Sequence, residues 1–237
     1  MKTTRRLCCV LLASVSCPVV AAVGHAQQQL PDSVLVFHFE HTGLPVPDYT
    51  LTVHENGVGS YAATYTDPPA DTAKYGNYPA QAAPPTRVTR PISLSSQTTA
   101  RLFERVRGTD RFHAGCASRL KNVADTGTKT LTYTGPDGTA NCTWNYSENK
   151  TIVALTDTFQ GIAETLDVGR AIEMKHRYDR LGLDRELAVL TDEVHDGRAL
   201  EVATIAPVLQ SLCDDTQVME RVRQRAASLL GAGLAAR

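Results

Sequence analysis

The sequence predicts an α+β fold: a mostly antiparallel sheet with one or two packed helices, followed by an all-helical C-terminal tail. Short segments up to Tyr146 alternate apolar with β-branched or polar residues, which is typical of strands with one buried face. From Ser147 onward, apolar residues recur at spacings of three and four, as they do on amphipathic helices. Strands and helices are therefore largely segregated along the chain.

The first 26 residues are predicted to be an export signal. Three basic residues lie among the first six, an apolar run follows at 7–23, and Gly24 and Ala26 are the small residues that a signal peptidase recognises. Cleavage after Ala26 leaves 211 of the 237 residues. We therefore expect an exported protein, periplasmic or secreted, with no transmembrane segment once the signal is removed.

The charge balance restricts the class of partner. The predicted signal holds three of the 24 basic residues and no acidic residue. The chain without the signal therefore has 21 basic and 25 acidic residues, a formal charge of −4. This balance argues against nucleic acid or an anionic membrane as a partner. We expect an unknown envelope or extracellular partner and no cofactor, since the chain has no glycine-rich phosphate loop, serine nucleophile elbow or Cys-x-x-Cys.

Residues 27–168 are predicted to form the α+β domain. A turn at Asn56–Gly57 joins two of the alternating segments, and a serine at 95 or 96 caps a helix that ends near Gly108. The predicted strands of this half are 33–40, 48–55, 58–65 and 87–94.

Residues 66–86 interrupt this domain with an abrupt change of composition. The segment holds five prolines and few aliphatic residues, so it predicts an exposed excursion that buries little. Tyr65, Tyr75 and Tyr78 would then line a binding surface, or would simply lie on the body of the domain.

The hairpin predicted at 128–146 organises the domain. Residues 128–134 and 139–146 both favour strands, and Gly135–Gly138 supplies the residue types of a tight turn. Leu131 and Tyr133 share one face of the first strand. Cys142, Trp144 and Tyr146 share one face of the second, which predicts an aromatic cluster over the core.

Three cysteines remain after signal removal, so three single pairings stay open. We favour a disulfide between Cys116 and Cys142, with Cys213 left as a buried thiol, because these two cysteines flank the hairpin segment. The functional alternative is a free, reactive Cys116 near His113.

Residues 169–237 are predicted to form the helical C-terminal region. One apolar stripe runs from Ile152 to Leu166, and Gly169 is expected to interrupt it before further helices follow.

Asp125, Thr126 and Gly127 resemble the Asp-Thr-Gly loop of aspartic peptidases. That chemistry needs two carboxylates that share one proton, and the chain has no second such motif, so the hypothesis requires a symmetric dimer. The structural alternative is that Asp125 and Gly127 turn the chain into the following strand.

His38, Glu40 and His54 are the candidate metal ligands. His38 and Glu40 share one face of a strand, and His54 lies on the next strand. The alternative is that these polar residues occupy the solvent face of an antiparallel sheet.

The order of these motifs resembles a group of exported bacterial domains of unknown function. The shared features are a Pro-x-Tyr-x-Leu-x-Val strand at 47–53, an Asn-Gly turn, a helix with Leu102 and Phe103, an aspartate before a hairpin, and a closing helix. The resemblance covers about residues 33–166. It implies an exported α+β domain and a turn role for Asp125, and it implies no activity.

We expect a non-catalytic binding or structural module of the envelope. One alternative is a hydrolase of the aspartic-peptidase type that uses Asp125 in a dimer. The other is a scaffold that docks a partner through the apolar face of the helical tail.

Overall fold

The computed structural model describes residues 32–66, 84–112 and 115–235. Its six-stranded antiparallel sheet and its helical C-terminal part confirm the predicted α+β fold. The predicted signal at 1–26 lies outside the described residues. Residues 67–83 of the predicted excursion, which include Tyr75 and Tyr78, also lie outside the described residues, and so does His113.

The strands of the described residues are β1 (Val34–Glu40), β2 (Asp48–His54), β3 (Val58–Tyr65), β4 (Thr86–Ser93), β5 (Thr128–Gly135) and β6 (Gly138–Trp144). They lie in the order β4-β3-β2-β1-β5-β6, and every neighbouring pair is antiparallel. Both predicted hairpins are confirmed. Gly57 turns the β2–β3 hairpin with φ +83°, a backbone conformation that favours glycine.

The helices are α1 (Ser96–Gly108), α2 (Lys150–Tyr178), α3 (Leu183–His195), α4 (Ala206–Asp214) and α5 (Glu220–Ala235). Short 3₁₀ turns at Asp110–Phe112, Arg180–Gly182 and Val202–Ile205 accompany them. The predicted cap of α1 is present, because the Ser95 side chain accepts a hydrogen bond from the Thr98 amide at 3.2 Å.

One face of the sheet packs on the helices, and the described residues leave the other face open. Alternate residues of β1 are buried, and Phe37 stacks on Phe159 of α2 with ring centroids 4.7 Å apart. Burial of an aromatic side chain of this kind stabilises the fold by about 1.5–3 kcal/mol. The open face carries half-exposed polar residues such as Thr50, Thr52 and Thr132.

The aromatic cluster of the hairpin differs from the prediction at one residue. Trp144 is buried, with its ring 6.3 Å from that of Phe37. Tyr146 is 42% exposed, because β6 ends at Trp144 and the strand alternation that would turn Tyr146 inward ends with it.

Helix α2 runs without a break through Gly169, where the sequence predicts an interruption. A Cβ atom on Gly169 would lie 2.5 Å from Cγ2 of Ile205, and one on Gly161 would lie 2.9 Å from the carbonyl oxygen of Arg198. The two glycines therefore let the 198–205 segment approach the helix closely. The domain boundary predicted between 168 and 169 falls inside α2, and the division into two domains stays a prediction.

Glu201 joins the C-terminal segment to α1. Its carboxylate accepts hydrogen bonds from the Ser95 amide at 2.7 Å and the Ser95 hydroxyl at 2.6 Å, and from the Thr98 hydroxyl. An acidic group is favourable at a helix N-terminus, where the backbone amides are unpaired. Glu201 has φ +57°, so local backbone strain accompanies this contact.

Cys116 and Cys142 are compatible with a disulfide. Their Cα atoms are 6.2 Å apart, within the usual range for a bridge, and the bridge would link the loop before β5 to β6. Cys213 is a free thiol, and it is half-buried where the sequence predicts full burial.

Candidate functional site

A cleft of about 860 Å³ lies between the buried face of the sheet, the β1–β2 loop and the middle of α2. Its walls are mostly apolar or aromatic, and a few polar groups converge on it. The lining residues are Phe39, Leu44, Pro45, Val46, Tyr49, Tyr65, Thr66, Gln160, Ala163, Glu164, Asp167, Val168, Arg170, Ala171, Met174 and Glu186.

Asp167 is the polar centre of the cleft. Tyr61 and Tyr65, which are buried and half-buried respectively, lie on one face of β3, and each donates a hydrogen bond of 2.7 Å to Asp167 Oδ1. Burial raises the pKa of Asp167, although the two tyrosine hydrogen bonds and the nearby Arg170 act against this shift. Because both hydroxyls use the same oxygen, Oδ2 is available to a ligand.

Burial and the charge of Asp167 raise the pKa values of Tyr49, Tyr61 and Tyr65 above the ordinary value for tyrosine. All three phenols are therefore neutral hydrogen-bond donors at physiological pH. Gln160 of α2 lies near the Tyr49 hydroxyl and partly offsets the rise in its pKa. Tyr61 and Tyr65 thus hold the carboxylate in place, and Tyr49 and Tyr65 form part of the cleft wall.

Glu164 lies one helical turn before Asp167 and is exposed at the rim of the cleft. Partial desolvation, the Glu193 carboxylate with which it shares a hydrogen bond, and the charge of Asp167 raise the pKa of Glu164 to about 7. The two glutamates come from α2 and α3, so the raised pKa of Glu164 reflects the close approach of these two helices beside the cleft.

Within the described residues, the positive charges near the cleft already have partners. The Arg170 guanidinium carbon lies 4.3 Å from the ring centroid of Tyr65, a cation–π geometry. Arg90 forms a two-point ion pair with Glu173, and Lys175 pairs with Glu186. Among the lining residues, three carboxylates face one arginine. The arrangement suits a molecule with an apolar body and a positively charged or hydrogen-bond-donating group.

Asp125, the candidate peptidase residue, lies outside this cleft. Its side chain is 80% exposed, and its carboxylate accepts a hydrogen bond from the Gly127 amide at 2.9 Å. Gly127 has φ +84°, so the pair forms the local turn that the structural alternative describes. His41 Nε2 lies 3.8 Å from its other oxygen. The dimeric peptidase stays a prediction.

The candidate metal ligands His38, Glu40 and His54 all lie on the open face of the sheet. His38 contacts Thr50 Oγ1 at 3.1 Å, and His54 pairs in register with Val34, four residues away from His38 along β1. This separation corresponds to about 13 Å along a strand, so His38 and His54 are too far apart to bind the same metal ion. The described part of the chain contains no group of three or more His, Cys, Asp or Glu residues that could hold a metal ion.

Lys129 is a buried cation that sequence reasoning did not single out. Its ammonium donates hydrogen bonds of 2.7–2.8 Å to two oxygens of Thr126 and to the carbonyl of Asn145. Desolvation lowers its pKa, partly offset by the charge of Asp125. The three acceptors use its three protons to fix the loop before β5, which is a structural role.

The cleft residues carry a weak sequence signal. Tyr65 lines the cleft, and a binding surface formed by the three tyrosines stays a prediction. Glu164 and Asp167 were missed, because acidic residues beside an apolar helical stripe look like a solvated face. The available signal is that Gln160, Glu164 and Asp167 follow one another at spacings of four and three, on the same side of α2.

Comparison with protein-family models found none that matches the chain, and no curated protein sequence matches it either. The resemblance to exported bacterial domains therefore remains an expectation from the motifs. None of the helices in the described ranges is both long enough and apolar enough to cross a membrane.

Proposed function

We propose that the protein is an exported binding module of the bacterial envelope and that it holds a small ligand in the cleft centred on Asp167. The observation that carries this proposal is the cleft itself. Its volume of about 860 Å³ is typical of small-molecule sites, which are mostly apolar with a few well-placed polar groups. A carboxylate held by two tyrosine hydroxyls is such a group.

The cysteine pair supports export, since disulfides persist in oxidising compartments. Intact-mass measurement of the protein recovered from the periplasm or medium tests this part. We expect a chain that begins at Gln27, with one disulfide and one thiol that labels at Cys213. A full-length chain with free thiols at Cys116 and Cys142 would contradict export.

Binding is tested with N-phenyl-1-naphthylamine, a neutral apolar dye whose fluorescence rises in apolar surroundings. Ala171 lines the cleft and is half-buried, so Ala171→Trp fills part of it. Ala227 is exposed on α5, and Ala227→Trp is the matched control.

We expect saturable dye binding by the wild-type protein and by Ala227→Trp, and a loss of binding of at least tenfold in Ala171→Trp. Circular dichroism of each variant establishes that it is folded. Equal dye binding by Ala171→Trp and the wild type would place the binding elsewhere. An absence of saturable binding in the wild type would refute the cleft as an apolar ligand site.

The scaffold hypothesis has less surface available than the sequence suggests. The apolar stripe of α5, with Val222, Ala226 and Leu229, is buried against the other helices. A scaffold would have to use exposed side chains such as Tyr178 and Leu181, which are 72% and 82% exposed. This hypothesis and the dimeric peptidase stay predictions.

A further inference from the structure

We infer that the ligand of the cleft is an organic cation: an ammonium group on an apolar body. This inference rests on the proposed binding function and adds the chemical class of the ligand. It follows from the carboxylates that line the cleft, the hydrogen-bonding geometry of Asp167 and the apolar residues of the cleft wall.

The charges that face the cleft favour a cation. The Lys175–Glu186 pair is neutral, and the charge of Arg170 is offset by Asp167, which it faces. The second carboxylate pair, Glu164 and Glu193, has one arginine beside it: Arg198 lies 3.7 Å from Glu193, and its charge also favours the ionised form of Glu164. Once Glu164 loses its proton, two carboxylates share this one arginine, and a cationic ligand would supply the missing positive charge.

Asp167 provides the directional contact. Its Oδ1 already accepts two hydrogen bonds, and both come from groups that cannot turn away without leaving the buried face of β3. An ammonium group has three donors and no acceptor, so it can bond to Oδ2 and to Glu164 without competing for Oδ1. A carboxylate ligand would instead meet Asp167 with like charge.

The apolar body of the ligand has a matching wall. Phe39 and Tyr49 stack with ring centroids 5.0 Å apart, and Val46 and Met174 extend the apolar surface toward the opening. Met174 is 44% exposed and supplies a flexible apolar side chain to the cleft. Tyr65 already carries a cation on its ring face, that of Arg170.

Displacement of the bound dye by three probes of equal chain length tests the ligand class: hexylamine, hexanol and hexanoate. At pH 8 we expect hexylamine to displace the dye at a concentration at least tenfold lower than hexanol, with hexanoate the weakest. Asp167→Asn keeps an acceptor oxygen for the tyrosines and removes the charge. It should weaken hexylamine at least tenfold, a much larger loss than for the neutral dye or hexanol.

Asp157→Asn is the matched control, because Asp157 is exposed on the same helix and outside the cleft. It should leave all affinities within twofold. Hexylamine should also bind roughly three- to tenfold better at pH 8 than at pH 6, as Glu164 loses its proton in the presence of Asp167, Glu193 and Arg198. Glu164→Gln should remove this dependence on pH.

The outcomes separate the two proposals. Dye binding with equal displacement by hexanol and hexylamine, or with preference for hexanoate, overturns the cationic class and leaves the binding function standing. Unchanged hexylamine affinity in Asp167→Asn also overturns it. Failure of the wild-type protein to bind the dye at all overturns the binding function, and the ligand class with it.

Discussion

Glu201→Ala is expected to lower the free energy of unfolding by about 3 kcal/mol. The substitution removes the acceptor of three hydrogen bonds from Ser95 and Thr98. The two hydroxyls can find other acceptors or water, so most of the cost comes from the Ser95 amide, because Ser95 is 6% exposed. A buried donor left unpaired costs about 1–3 kcal/mol, and a bond to a charged group is worth about 1.5–3 kcal/mol.

Alanine also keeps the comparison simple. It experiences the same steric cost at φ +57° as glutamate does, whereas glycine would relieve it and mask part of the loss. Glu201→Gln retains an acceptor oxygen without the charge, so we expect a loss of about half that of Glu201→Ala.

The assay is guanidinium chloride unfolding followed by two probes. Trp144 is the sole tryptophan and is buried in the sheet, so its fluorescence reports the α+β part. Far-UV circular dichroism is dominated by α2 and the helices that follow it. If Glu201 joins these parts into one cooperative unit, both transitions coincide and both move to lower denaturant in Glu201→Ala. A loss below about 0.5 kcal/mol, or two separate wild-type transitions, would refute this reasoning.

Three further predictions concern the cysteine pair, the α2 glycines and the Glu164 proton. Cys116→Ser is expected to lower the free energy of unfolding by about 3.5 kcal/mol, the chain-entropy value for a separation of 26 residues. Cys213→Ser should lower it by less than about 1 kcal/mol. Denaturant unfolding measures both losses, and equal losses would refute the bridge. Gly161→Ala should lower the free energy of unfolding by at least about 1 kcal/mol, because its Cβ would lie 2.8 Å from Cγ of Leu200. An unchanged unfolding midpoint would show that the 198–205 segment does not pack closely on α2. Folding raises the pKa of Glu164 to about 7, so the folded state binds this proton more tightly than the unfolded chain does. The resulting stabilisation of the folded state is present at low pH and is lost as the pH rises through 7. With allowance for its exposure, the loss between pH 5 and pH 8 should be about 1 kcal/mol, and Glu164→Gln should abolish it; the same pH slope in the variant would assign it to other groups.

The sheet could be predicted from the sequence because its signals are local. Alternation in 33–40 and 48–55, the Asn56–Gly57 turn and the hairpin at 128–146 each determine a strand or a turn within a few residues. The order of the strands is less local. β5 pairs with β1 across roughly 90 residues of chain, and no short pattern specifies that pairing.

The end of α2 could not be predicted because glycine has two roles. Gly169 looks like a helix terminator in isolation, yet in the fold it gives room to Ile205, from a segment 36 residues later. The cap of α1 by Glu201 is equally non-local. The sequence predicts a cap at Ser95 or Ser96, and it could not identify the distant carboxylate that receives the hydrogen bonds of Ser95.

The candidate site shows the same limit. Asp125, His38 and His54 were singled out because their residue types match known chemistry, and the fold places them on the surface or on the open face. Asp167 belongs to no motif. It becomes a candidate only when β3 brings Tyr61 and Tyr65 within hydrogen-bond distance, across about 100 residues of chain.

Methionine-methyl NMR tests the proposed site most directly. The chain has three methionines: Met1 lies in the predicted signal, Met174 lines the cleft, and Met219 packs against the core elsewhere. Mature protein with ¹³C-labelled methionine methyl groups should thus give two signals. On titration with hexylamine we predict a saturable shift of the Met174 signal alone, which Asp167→Asn weakens at least tenfold. A titration that leaves Met174 unmoved, or that shifts Met219 instead, would contradict the assignment of the cleft as the binding site.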